Sequence, residues 1–396
     1  ERRGWMGDAA LTAEAAALSF GMGSFYTHWL DQMLDAQNPI NGSMPNVVPA
    51  LSTTNGAPNW QTAYVMILWV MSVHYGDEQI LFRHHEGMVR FFDFFEMNYN
   101  ETGLANFETA YGDWVTPPPH PKSDGHLMSS FAFMSQLILG MELFRNSPHP
   151  DAPNQLQRLQ IRFAKATPEY HTVFFNHTIG AYMSGLQTEQ ALSLYLGAVP
   201  VDSMPSVISY LINNIKITNG GHLTSGIIGT KYIMEVLSLL DRGDVAMDLA
   251  LQTTYPSWGY MIHNEYEPAT TVWELWNSDT AGPSMNSRNH HMFGSISSWF
   301  YKYVAGIKPL KPGFSHVQIK PNVLRLQNAS AVVASPYGDI SFCYHKQRHG
   351  LFNYDITLPI GTCATFVVPI ALDDRPIAPE IEGRSLDIAI LEGRGQ

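Results

Sequence analysis

Residues 60–74 read WQTAYVMILWVMSVH, apolar on nearly every side of a helical wheel. Such a helix has no solvent face and belongs inside a layer of other helices. The segments around it continue the pattern. Residues 10–36 place apolar side chains at helical spacings and stop at Gln37-Asn38-Pro39, a helix-ending signal. Gln79 to Phe95, His126 to Phe144, Leu156 to Ala166, Leu186 to Leu196 and Met204 to Ile215 follow, then Gly226 to Leu240, Asp244 to Thr254 and His291 to Ala305. Clusters of Pro, Gly and Asn separate them. Helix after helix, joined by loops long enough to carry function, predicts a mainly α fold: a toroid of helical hairpins. No short internal repeat is visible, which argues against a solenoid.

The period changes at Gly306-Ile307-Lys308-Pro309. Beyond it His316 to Lys320, Ile340 to Tyr344, Phe352 to Leu358 and Thr365 to Ile370 alternate apolar and polar residues, with turn residues between them. We therefore expect an α domain over 1–308 and a small C-terminal β-sandwich over 309–396. The Pro- and charge-rich stretch from Asp373 is expected to pack loosely.

Composition narrows the function. Apolar residues make up 45% of the 396 and charged residues 15%, against a usual value of about 25%. Lys+Arg minus Asp+Glu is 23 − 35 = −12. An acidic chain lacks the basic surface that nucleic acid or an anionic membrane demands. The longest apolar run, Ala63 to Val73, spans eleven residues, short of the roughly 18–20 of a spanning helix. Two cysteines exclude a disulfide scaffold and a CxxC zinc site. Cys343 and Cys363 are close enough in sequence to pair, or equally to be two buried thiols. The first residues show no signal-peptide pattern and no initiator Met, so the chain reads as a fragment or a processed product.

Several standard sites fail on spacing. Gly21-Met22-Gly23-Ser24 lacks the third glycine of a dinucleotide fingerprint, Gly226 to Lys231 is half a P-loop, and no G-x-S-x-G elbow is present. His84-His85-Glu86 and His290-His291 are adjacent pairs, and helix neighbours point about 100° apart, a poor grip on one metal. No metal or cofactor is expected. What remains are acids set among Trp and Gly. They are Glu1-Arg2-Arg3-Gly4-Trp5-Met6-Gly7-Asp8, Pro58-Asn59-Trp60, Tyr111-Gly112-Asp113-Trp114, and Tyr255 to Met261 leading to Thr270-Thr271-Val272-Trp273-Glu274-Leu275-Trp276. Trp5, Trp60, Trp114, Trp258, Trp273 and Trp276 all sit beside turn residues or carboxylates, the composition of a cleft where sugar faces stack on rings. A Glu between two Trp gains a desolvated setting suited to acid–base work. The blander reading of any one cluster is a helix cap or a solvated turn acid; four on one toroid are harder to explain that way.

These motifs resemble the α-L-rhamnosidases of glycoside hydrolase family 78. The resemblance takes in Glu1 to Ala9, Gly42 to Pro49, Tyr111 to Val115, Ser184 to Thr188, Thr224 to Thr230, Tyr255 to Trp276 and Asn289 to Phe300, with Lys311 to Phe314 and Ile319 to Pro321 beyond. Patterns ERxGWxGD, YPSWGYM and TTxWExW in this order are specific together and weak singly. The resemblance implies an (α/α)6 catalytic barrel followed by a β-sandwich, and inverting hydrolysis of rhamnose-containing glycosides or polysaccharides. It implies Glu1 as general acid and Glu274 as general base, about 6.5–9.5 Å apart. It further implies Asp8 and His290 as sugar contacts, and Trp5, Trp60 and Trp114 as an aromatic wall. The methyl group of a 6-deoxy sugar suits such a wall on chemical grounds alone.

Two departures accompany the resemblance. The family carries an Asp and an Arg shortly before the acid, and this chain starts after them. A free amino group beside Glu1 would lower its pKa, so this chain is expected to be weakly active or inactive. Family members also read WGDA where this chain has Trp60-Gln61-Thr62-Ala63, which bears on the aglycone accepted or on drift of activity. The rivals are a glycan-binding descendant, disfavoured by retention of both Glu1 and Glu274, and another glycosidase or a lyase. A lyase would want a basic cleft. Sequons at Asn41, Asn100, Asn176 and Asn328 permit a secreted protein.

Overall fold

Among the residues that the computed structural model describes (3–50, 55–108, 111–322, 325–347 and 352–367), helices come in two kinds, sorted by burial. Buried helices alternate with half-exposed ones. α1 (Met6–Ser19) is followed by α2 (Gly23–Ala36), and α3 (Pro58–Tyr75) by α4 (Glu78–Arg83) and α5 (His85–Met97). α6 (Gly125–Asn146) is followed by α7 (Ala152–Phe174), α8 (Gln187–Tyr195) by α9 (Met204–Asn213), and α10 (Ile227–Leu239) by α11 (Gly243–Ala250). The first member of each group is buried over most of its length. The later members, α2, α7 and α9 most clearly, bury one stripe and leave the other face to solvent.

α1 packs on α3, α3 on α6, α6 on α8, and α8 on α10. After the short α12 (Trp258–Ile262), a 3₁₀ turn over Met292–Ser295 and α13 (Ile296–Trp299) pack against both α10 and α1. That contact closes the ring, so the buried helices form the inner wall of a six-hairpin toroid. Pro58 opens α3, where a missing N–H costs little. Gly76 ends it at φ +66°, its N–H bonding Ser72 O at 3.0 Å.

The structure differs from the sequence expectations at the ends of elements. Residues 10–36 form two helices that part at Phe20-Gly21-Met22, and 79–95 part at His84. α7 runs on to Phe174 through Pro168, which forfeits one backbone bond on a helix with a solvent face. The hairpin of β1 (Phe175–Asn176) and β2 (Ala181–Tyr182) is too short to leave a period. α6 is long and apolar enough by composition to cross a membrane, although Ser, Gln and Gly interrupt its apolar run; it lies mostly buried within the helical unit.

A second unit begins at Phe300. β3 (Ile307–Pro309) and β4 (His316–Ile319) pair antiparallel, and β5 (Asn328–Ser335), β6 (Gly338–Lys346) and β7 (Phe352–Thr357) form a three-stranded meander. β8 (Cys363–Phe366) joins β4 in parallel, making two three-stranded sheets. Ile340, Phe342 and Tyr344 point inward at every second position of β6. Tyr354 of β7 meets Phe366 of β8 at 5.3 Å, joining the two sheets as a sandwich. β3 and β5 went unforeseen: β3 is three residues long, and β5 is built of small side chains with little apolar contrast. Cys343 and Cys363 are free thiols and exposed, neither paired nor buried as expected, because they sit at outward-facing strand positions. Residues 368–370 and the stretch from Asp373 lie outside the described residues.

Candidate functional site

The loop before α1 is shaped by close approach. A β-carbon at Gly4 would sit 1.9 Å from Val48 O. Without one, residues 4–6 pair with 46–48 through Met6 N–H to Asn46 O and Val48 N–H to Gly4 O, both 2.9 Å. A β-carbon at Gly7 would lie 2.3 Å from the Trp60 ring, so Trp60 packs against the first turn of α1. Tyr111 stacks on Trp60 at 4.3 Å and 27°. Trp5 and Trp114 meet Tyr111 nearly at right angles, at 6.4 and 5.7 Å. Trp60 is 4% exposed; Tyr111, Trp5 and Trp114 are half-buried. Tyr111 is therefore the accessible ring of the stack, with Trp60 behind it.

Asp113 fixes the loop that carries Tyr111 and Trp114. Its buried carboxylate accepts from Gly226 N (2.8 Å), Ile228 N and Gly229 N (3.0 Å each) and Thr188 Oγ1 (2.6 Å). Those amides are the unpaired donors at the start of α10. Trp114 O takes the Ile227 N–H at 2.9 Å. Asp113 is thus consumed as a clasp. Thr62 is likewise internal. Its hydroxyl accepts from Gln136 Nε2 at 2.8 Å and donates to Pro58 O at 3.2 Å, beside a cavity of about 20 Å³ lined by Gly7, Trp60, Phe131 and Tyr232.

In the stretch 255–276, Trp258, Trp273 and Trp276 are buried, with Trp258 Nε1 donating to Phe293 O and Trp276 Nε1 to Ser225 O, each at 3.1 Å. Neighbouring turn residues made them resemble cleft rings in sequence, yet they hold the loop to the barrel. Glu274, 4% exposed, lies beside Ser287. The Glu274 N–H donates to Ser287 O at 2.9 Å, and the Ser287 N–H donates to Glu274 Oε2 at 2.8 Å, which orients the carboxylate. Three residues after Ser287, the His290 N–H donates to Val272 O at 2.8 Å. His290 Nδ1 lies 3.4 Å from Asp8 Oδ1.

The structure therefore brings Asp8 to His290, ties His290 through paired backbone to the Glu274 segment, and gathers Trp5, Trp60 and Trp114 around Tyr111. Glu1, and with it the separation of the two expected catalytic carboxylates, lies outside the described residues. Sequence reasoning missed Tyr111, Asn46 and Ser287 as shaping residues. Tyr111 stood in a motif already singled out; Asn46, whose Oδ1 accepts the Ala57 N–H at 2.7 Å, and Ser287 carried no signal of their own.

Comparison with known proteins agrees with this architecture. Residues 1–304 match the family model of the bacterial α-L-rhamnosidase six-hairpin glycosidase domain, and 306–376 that of the bacterial α-L-rhamnosidase C-terminal domain. An α-L-rhamnosidase of Streptomyces avermitilis is 30% identical over 95% of this chain and 36% of its own, and one of an Alteromonas species 28% identical over 93% and 41%. The chain thus spans well under half the length of these relatives. The solved α-L-rhamnosidase of Dictyoglumus thermophilum superposes with a TM-score of 0.87 at 34% identity, over 94% of this chain and 42% of that one. The Streptomyces avermitilis enzyme in complex with L-rhamnose superposes with a TM-score of 0.85 at 28% identity, over 93% and 35%.

Proposed function

The chain belongs to the family of bacterial α-L-rhamnosidases with a six-hairpin glycosidase domain, and on that premise we propose that it hydrolyses terminal α-L-rhamnosides with inversion at the anomeric carbon. Glu274 acts as general base, taking a proton from the water that attacks the anomeric carbon. Glu1, assigned by its motif, protonates the glycosidic oxygen as the bond to the leaving group breaks. Asp8 and His290 hold ring hydroxyls, and Trp5, Tyr111 and Trp114 face the 6-methyl side of the sugar. The supporting observation is the backbone pairing that ties Glu274 to the His290 segment and leaves His290 3.4 Å from Asp8. It gathers an oriented carboxylate and two polar sugar contacts from opposite ends of the helical unit.

Hydrolysis of p-nitrophenyl α-L-rhamnoside, with the anomer of the first product read by NMR, tests this. The β-anomer should appear first, and Glu274→Gln should lower kcat by about 10²–10⁴-fold. Undiminished turnover in Glu274→Gln, or the α-anomer as first product, would refute it.

A further inference from the structure

Asp8, His290 and His291 each offer one donor atom, and these atoms lie within 4.8 Å of one another. The separation of Asp8 Oδ1 from His290 Nδ1 is 3.4 Å, as in the His74–Glu14 and His85–Asp151 pairs. It matches the edge of a tetrahedral ligand shell, about 3.3–3.4 Å for metal bonds of roughly 2.0–2.1 Å. The two imidazole rings stand 5.9 Å apart at 21°. Asp8 is 6% exposed, so its carboxylate is screened little by solvent. Two imidazoles and one carboxylate are the borderline donor set that zinc takes, with the remaining positions open.

We propose that Asp8, His290 and His291 form a binding site for a divalent transition-metal ion of the zinc class, and that the ion competes there with the sugar. The competition rests on the functional reading above, since the ion would occupy the lone pairs of Asp8 and His290 assigned to sugar hydroxyls. The metal site itself does not depend on that reading. His290 and His291 lie outside any helix, so the divergence of helix neighbours that argued against this pair does not apply. His85, Glu86 and His149 make a second close cluster and serve as an internal control. The His85 and His149 rings stack 3.5 Å apart, too close for both to aim at one ion without parting.

The test is calorimetric titration of the protein with Zn²⁺ alone, with and without saturating L-rhamnose, repeated on His291→Ala, His291→Gln and His149→Ala. One tight site is expected, weakened by L-rhamnose and unchanged in His149→Ala. Both His291 variants should weaken it by more than the roughly 10–100-fold that loss of an outer-shell partner costs. A tight site retained in both folded His291 variants, or lost in His149→Ala, overturns the assignment. Zn²⁺ affinity indifferent to L-rhamnose in a protein whose turnover depends on Glu274 overturns the competition. A His291-dependent site in a protein that hydrolyses no rhamnoside upholds the metal site and sinks the functional reading alone.

Discussion

Ser287 shows how much one hydroxyl can organise. Its Oγ donates to Asn289 O at 3.1 Å and receives the Asn289 N–H at 3.2 Å, closing the turn between the amide that holds Glu274 and the residue that meets Asp8. Ser287→Ala removes both bonds, and a loosened carboxylate of roughly 1–2 kcal/mol should lower kcat about tenfold. Ser287→Thr keeps the hydroxyl and should keep most of the rate. Steady-state kinetics on p-nitrophenyl α-L-rhamnoside decides it, and equal loss in both variants would refute the role. Residue types at this scale were largely legible in sequence, because acids and rings set among glycines and prolines mark loops and helix starts. Their availability was not. Asp113 and Glu274 looked alike as carboxylates beside tryptophan, yet Asp113 is spent on four donors, one of them 116 residues away.

Among the elements, α10 depends on that clasp. Asp113→Asn keeps the shape but turns one acceptor oxygen into a donor facing the amides at the helix start. We expect a loss of about 2–3 kcal/mol in denaturant unfolding, with KM for the rhamnoside raised because Trp114 and Tyr111 lose their anchor. The outer helices α5 and α7 are joined by Arg158 to Glu96 at 2.8 Å and Arg162 to Glu96 at 3.0 Å. Burial alone would raise the Glu96 pKa, but the two guanidinium groups outweigh it and the carboxyl is lowered. A depressed carboxyl stabilises the fold above its unfolded pKa and loses that contribution as pH falls through the folded value. Arg158→Met should therefore cost about 1–2 kcal/mol near neutral pH and progressively less below about pH 4, read by urea unfolding at both. Helix identity came through the apolar period; the breaks at Phe20-Gly21-Met22 and His84 did not, since a period continues across a short kink.

For the molecule as a whole, acid sensitivity is set in part by His84, a fully buried imidazole between α4 and α5. Tyr64 Oη lies 3.2 Å from its Nδ1 and Asp31 Oδ1 3.4 Å from its Nε2. Burial, then Arg83, lower its pKa to about 4 against the opposing pull of Asp31. The unfolded chain binds this proton near pH 6.5 and the folded one only near 4, so stability falls as pH drops through that window. The loss is on the order of 3 kcal/mol by pH 4. His84→Gln should flatten the decline in a melting series from pH 7 to 4, and an unchanged slope would refute the assignment.

The sequence by itself determined where the long helices run, where strands take over beyond Gly306, and which segments bring rings and acids together. Those properties follow from the spacing of apolar residues along a few turns. Only the tertiary structure decided which carboxylates line the site and which become clasps. It also decided that Trp60 stands behind Tyr111, and that Asp8 faces His290. Hydrogen-bond satisfaction and ring stacking depend on partners far away in the chain, and no local pattern specifies them.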